Sequence, residues 1–89
     1  MGQLAQLNEL NLELRENNIT DEGVKIFENA LPKLKNLKKL NLILENNNIT
    51  GTGLSYLLTG ISGIENLEIL KISLGANKIQ DENQYKIIK

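Results

Sequence analysis

The sequence predicts an α/β fold: a short solenoid arc with parallel strands on its concave face and helices on its convex face. Three observations lead there. The first is self-similarity at a fixed period. Residues 7–20 read LNELNLELRENNIT, 37–50 read LKKLNLILENNNIT and 67–80 read LEILKISLGANKIQ. The segments start thirty residues apart and share the pattern L-x-x-L-x-[LI]-x-L-x-x-N-x-I, so six positions agree in chemistry three times without a gap. The second is a period of two within each segment. The third is a switch to a helical period after it.

The period of two marks the strands. Leu10, Leu12 and Leu14 alternate with Asn11, Glu13 and Arg15, which is the pattern of a strand with one buried face. Leu40, Leu42 and Leu44 repeat it, as do Leu70, Ile72 and Leu74. Each strand is followed by an Asn and, two residues later, an Ile: Asn17 and Ile19, Asn47 and Ile49, Asn77 and Ile79. A sharp turn is required there. A buried Asn can satisfy backbone donors and acceptors at once, through its carbonyl and its NH₂. Asn17, Asn47 and Asn77 are therefore expected to stack as a structural ladder. Their repetition supports this, since a turn residue is needed once per turn and a catalytic residue only once.

The helices come next. Val24, Phe27, Ala30, Leu31 and Leu34 carry helical spacing in the first repeat, with Thr20 or Asp21 as N-cap. Leu54, Leu57, Leu58, Ile61 and Ile64 carry it in the second, with Thr50 or Thr52 as cap. Gly23 and Gly53 fall near the helix starts, where close packing against the strand layer would explain them. Pro32, and Gly60 with Gly63, are expected to mark the helix ends. A third helix should start near Asp81. Strands entered after a helical crossover must be parallel, and the crossover right-handed. Residues 1–89 thus form a single array with repeats at 7–36, 37–66 and 67–89, the last truncated. Residues 1–6 end a preceding repeat.

Composition narrows the chemistry. The 89 residues include 17 Leu and 13 Asn but no His, Cys or Trp. That excludes thiolate and imidazole zinc sites, disulfides, a Cys nucleophile and a Ser-His-Asp triad. The carboxylates form no paired constellation and the glycines no phosphate-binding loop, so no catalytic residue, metal or cofactor is expected. A net charge of −1 gives no overall attraction to nucleic acid or to an anionic membrane. Lys33, Lys35, Lys38 and Lys39 cluster, but no aromatic side chains interleave with them, so they read as a solvated connector. The stretch Met1 to Gln6 lacks the features of a signal peptide, and with no Cys a cytoplasmic location is expected. The N-x-T triplets at Asn18 and Asn48 read as products of the repeat rather than as glycosylation acceptors.

The cores at 12–19, 42–49 and 72–79, followed by D-E-G at 21–23 and G-T-G at 51–53, resemble leucine-rich repeats of the ribonuclease-inhibitor-like subclass. The resemblance covers essentially the whole chain. It departs from the family in an additional L-x step before the Asn, which makes the strand segment look two residues longer. It departs again at Asn83, where the family would have Gly. What the resemblance implies is a protein–protein interaction scaffold without chemistry of its own. Related arrays are joined to kinase or other domains, and one branch activates a small GTPase. The alternative is therefore a regulatory segment of a larger protein whose activity lies elsewhere.

A binding surface on such an array should use the strand side chains that alternate with Leu. Reading across the repeats gives four rows: Glu9, Lys39, Ile69; Asn11, Asn41, Lys71; Glu13, Ile43, Ser73; and Arg15, Glu45, Gly75. Asn11, Glu13, Arg15, Lys39, Asn41, Ile43, Glu45, Lys71 and Ser73 are the candidate partner-binding residues. Glu9 beside Lys39 and Arg15 beside Glu45 would also form cross-strand pairs, each worth roughly a few tenths of a kcal/mol. Ile43, apolar at the exposed centre of the middle strand, would suit either a partner or strand propensity alone. Neither end of the array carries a polar cap, so marginal stability as an isolated monomer is expected, with self-association through the ends or a longer parent chain supplying the missing contacts.

Overall fold

The computed structural model describes residues 6–79. Three strands, β1 (Glu9–Glu13), β2 (Lys39–Ile43) and β3 (Ile69–Ser73), form one parallel sheet in the order β1-β2-β3. Helical segments fill the crossovers: α1 (Asp21–Val24), α2 (Ile26–Ala30) and a 3₁₀ turn (Leu31–Lys33) in the first, α3 (Gly51–Ser62) in the second. Three parallel strands alternating with helices make a repeat βα arrangement. The helix expected from about Asp81, the position of Asn83 and residues 1–5 lie outside the described residues.

The register follows the thirty-residue period. Glu9 lies opposite Lys39 and Lys39 opposite Ile69, and each further step along the strands keeps that offset. One face of the sheet is therefore leucine. Leu40, Leu42 and Leu44 are at most 1% exposed and share a core with Leu54, Leu57 and Ile61 of α3 and with Val24 and Leu31 of the first crossover. Each strand has five residues, so the two-residue extension suggested by the additional L-x step is not strand. The ladder does run on past the strand ends, with Leu14 N–H donating to Ile43 O at 2.8 Å and Glu16 N–H to Glu45 O at 3.0 Å.

The chain then turns through a left-handed residue at the same place in every repeat: Glu16 at φ 58°, Asn46 at φ 59° and Ala76 at φ 56°. None is glycine, and a non-glycine residue in that region costs about 1–2 kcal/mol. The conformation is held by hydrogen bonds on either side, such as Asn46 N–H to Gly75 O at 2.9 Å.

The two crossovers differ. α3 is one helix of 12 residues with Thr50 as N-cap, its hydroxyl accepting from Thr52 N–H at 3.2 Å. The first crossover was expected to be one helix but is divided at Lys25, where Glu28 N–H bonds the Lys25 carbonyl in a tighter three-residue step. Pro32 has no N–H to continue the α-helical pattern, and the chain finishes in the 3₁₀ turn. The altered winding turns Ala30 outward, contrary to the expected apolar stripe, while Val24 and Leu31 stay buried. Gly60 is not a helix end. It lies inside α3, where a side chain would collide with the Phe27 carbonyl, so it lets the two helices approach backbone to backbone. Gly63 does cap α3, beside Pro32. Gly23 packs against Ile19, and Gly53 against the Asp21 carboxylate and Ile49, rather than against the strands themselves.

Candidate functional site

The sheet face away from the leucines is assembled from the alternate strand positions. Glu9, Asn11, Glu13, Lys39, Ile69 and Lys71 are exposed, and Asn41, Ile43 and Ser73 are half-buried between their neighbours. Three of the four rows read from the sequence are rows of the sheet, whereas Arg15, Glu45 and Gly75 lie past the strand ends. The first-row residues and Asn11, Asn41 and Lys71 line a depression of about 320 Å³. It brings two ammonium groups, one carboxylate and one exposed apolar side chain into a single concavity.

Two expected charge pairs are not formed. Arg15 turns back to Glu13 on its own strand, with Nε 2.9 and 3.0 Å from the two carboxylate oxygens and a terminal nitrogen at 2.8 Å from one of them. Glu13 also accepts the Arg15 backbone N–H at 3.2 Å, so one carboxylate engages both ends of that residue. The side-chain hydrogen bond, then the backbone one, hold the Glu13 carboxyl below its ordinary value. Glu45, across the sheet, adds only a weaker pull on Arg15. Glu9 accepts from Asn11 Nδ2 at 3.2 Å instead of pairing with Lys39, and Arg15–Glu13 is the one ion pair among the described residues. Both pairings are local, two residues apart along a strand edge. The side chains reach these partners without being extended across the sheet.

Ile43 is half-buried rather than exposed, because the flanking strands cover it. The exposed apolar residue on this face is Ile69, at 46%. Sequence reasoning placed Ile69 and Glu9 in the rows but not among the candidates. Their position in the first row beside Lys39, at the entry end of the strands, is the signal that distinguishes them.

The turn beside this face is held by the asparagines. Asn47 is 6% exposed, and its Oδ1 accepts from Asn17 N–H and Ile19 N–H, both at 2.9 Å. Its Nδ2 donates to the carbonyls of Leu14 (3.0 Å), Leu44 (2.9 Å) and Glu45 (3.2 Å). Asn77 repeats the arrangement one step on, accepting from Ile49 N–H at 3.0 Å and donating to Leu44 O at 2.8 Å and Leu74 O at 3.0 Å. Asn17 is exposed, and its side-chain amide donates only to Arg15 O, at 3.0 Å. A second link was not anticipated. Thr20 is the N-cap of α1 but makes no capping side-chain bond. Asp21 reaches into the next repeat, where its carboxylate accepts from Thr50 N–H at 2.8 Å and from the Thr50 hydroxyl.

Among the described residues there is no group of three or more acidic side chains placed to hold a metal, and no helix long and apolar enough to cross a membrane. A parallel sheet with one leucine face, asparagine-held turns and helical crossovers defines a repeat protein. The chain belongs to the Leucine Rich repeat family, whose model matches residues 7–25 and 33–58, just over half of the sequence. Repeats of this family generally mediate protein–protein interaction and are typically non-enzymatic. No curated protein and no solved structure matched the chain.

Proposed function

We propose that this chain is a protein-interaction scaffold that binds a partner on the polar face of its sheet, and that the repeats form a ribonuclease-inhibitor-like solenoid with that face concave. The observation that carries the reading is the depression at the entry end of the strands. Lys39 and Lys71 there would meet carboxylates, and Ile69 would meet an apolar side chain. A charged rim around a desolvated apolar anchor is the usual anatomy of a protein interface. Asn11, Asn41, Glu13, Arg15, Ile43, Glu45 and Ser73 extend the surface along the strands. Self-association through the ends of the array is a further mode of assembly under the same reading.

The test compares the proteins retained from cell extract by the parent chain and by Ile69→Asp and Lys71→Glu, with Ile26→Asp on the helical side as control. Ile26 is 65% exposed, so its substitution leaves the core untouched. Partners lost with the two sheet-face variants and kept with the control are expected. The same set retained by all three would overturn the assignment of the face.

A further inference from the structure

The two ends of the sheet carry the two halves of an interface that the molecule already contains twice. In each internal junction the left strand bonds through its even-numbered residues: Asn8 O accepts from Lys38 and Lys39 N–H, Leu14 N–H donates to Ile43 O, and Leu44 N–H donates to Ser73 O. Parallel pairing uses alternate residues of a strand on each side. The N–H and C=O groups of Glu9, Asn11 and Glu13 therefore point to the outer edge of β1, and those of Leu70 and Ile72 to the outer edge of β3. Among the described residues neither edge is paired with a strand.

The turn ladder stops in the same complementary way. Asn47 Oδ1 takes the N–H groups of residues thirty and twenty-eight positions earlier. The same step applied to Asn17 calls for the N–H groups of Asn77 and Ile79. Among the described residues the Asn17 carbonyl oxygen accepts no hydrogen bond.

The apolar surface shows the same gap. Leu7, Leu10, Leu12, Leu14 and Ile19 are only partly buried, whereas their counterparts Leu37, Leu40, Leu42, Leu44 and Ile49 are at most 1% exposed. Charge agrees with the pairing: β1 offers Glu9 and Glu13 on the polar face, and β3 offers Lys71 and no carboxylate.

We infer that this chain associates head to tail with copies of itself, β3 of one copy adding to the β1 edge of the next in the register that sets Lys71 opposite Asn11. The amide of Asn17 then receives the Asn77 and Ile79 N–H groups of the neighbouring copy. The inference rests on the self-association reading above and gives it a geometry. The contact joins two different surfaces, so copies add on to one another in open chains or larger rings and do not stop at a two-fold pair.

Sedimentation of the full chain over a concentration series tests it. A weight-average mass that rises past two protomers is expected. Asn11→Pro removes an outward N–H from β1 without touching the β1–β2 bonds, and Asn17→Ala removes the ladder acceptor. Each should weaken association at least tenfold while the urea transition shows that the fold is retained. Because the chain has no cysteine, Asn11→Cys and Lys71→Cys chains can be mixed and gently oxidised. The mixed disulfide should form faster than either like pair. A mass that stops at two protomers, or like pairs forming as fast as the mixed one, refutes the head-to-tail geometry and leaves self-association standing. A protomer mass at every concentration refutes both.

Discussion

The first and second repeats use the same pattern and end in different states. Leu12 and Leu42 occupy one position in it, as do Asn17 and Asn47. Leu42 is fully buried and Leu12 is not, and Asn47 makes five hydrogen bonds where the Asn17 side chain makes one. Local sequence cannot account for this, because it is nearly the same. The difference is that the second repeat has a neighbour on each side. In a stacked array each repeat supplies part of its neighbour's core and satisfies its neighbour's turn, so stability resides in the junctions. Asp21 makes the same point, since it holds Thr50, the N-cap residue of the helix in the repeat after its own.

Paired substitutions break or sharpen that comparison. The largest effect is expected from Leu42→Ala, which empties a fully enclosed site and should cost about 4 kcal/mol, against about 2 kcal/mol for Leu12→Ala. Urea melts of the two variants give the difference directly, and equal losses would show that the repeats are not distinguished by their neighbours. The asparagines come next. Asn47→Ala leaves backbone groups of two repeats without partners inside the structure and should cost about 3 kcal/mol. Asn17→Ala affects one exposed bond and should cost about 0.5 kcal/mol. Amide hydrogen exchange of Asn17 and Ile19, whose N–H groups bond Asn47, should quicken in the first variant only.

Glycines test the contrast between the crossovers. Gly60→Ala in α3 drives a methyl group into the Phe27 carbonyl, and the helices must separate, at a cost of about 2 kcal/mol. At Gly51, the first residue of the same helix, an added methyl group meets nothing within 4 Å. Alanine there should stabilise by about 0.5 kcal/mol through helix propensity and a less flexible unfolded chain. Circular dichroism melts with opposite signs of shift would locate the contact between crossovers at Gly60. A loss at both positions would instead point to a general intolerance of α3.

How much of this was readable beforehand follows from which interactions are periodic. The parallel order, the register and the leucine face follow from a repeat that places six residues identically three times. The face rows were legible for the same reason. The division of the first crossover was not, because the helical pattern of apolar residues runs through Lys25 without a break. The left-handed turn residue was hidden too. Glu16, Asn46 and Ala76 share a conformation but no side-chain chemistry, and no glycine marks the place. The pairing of Arg15 was not legible either, because the cross-strand row sets Glu45 beside it, whereas the side chain bonds Glu13 two residues back along the chain.

The smallest effect concerns that pair, which the second repeat lacks because Ile43 and Glu45 stand in its place. Arg15 lowers the Glu13 carboxyl in the folded state. A carboxyl lowered on folding contributes stability above its unfolded value and loses it as the pH falls through the folded one. The folded protein therefore sheds this contribution on acidification below the ordinary carboxylate range. Arg15→Ala should return Glu13 upward to that range and leave stability near pH 7 almost unchanged, since the pair is exposed to solvent and screened. Carboxyl chemical shifts followed through an acid titration measure the change for Glu13 alone. A Glu13 midpoint unmoved by the substitution would mean that the pair does not persist in solution. The first repeat would then differ from the second in having a neighbouring strand on one side only among the described residues, and not in a charge pair of its own.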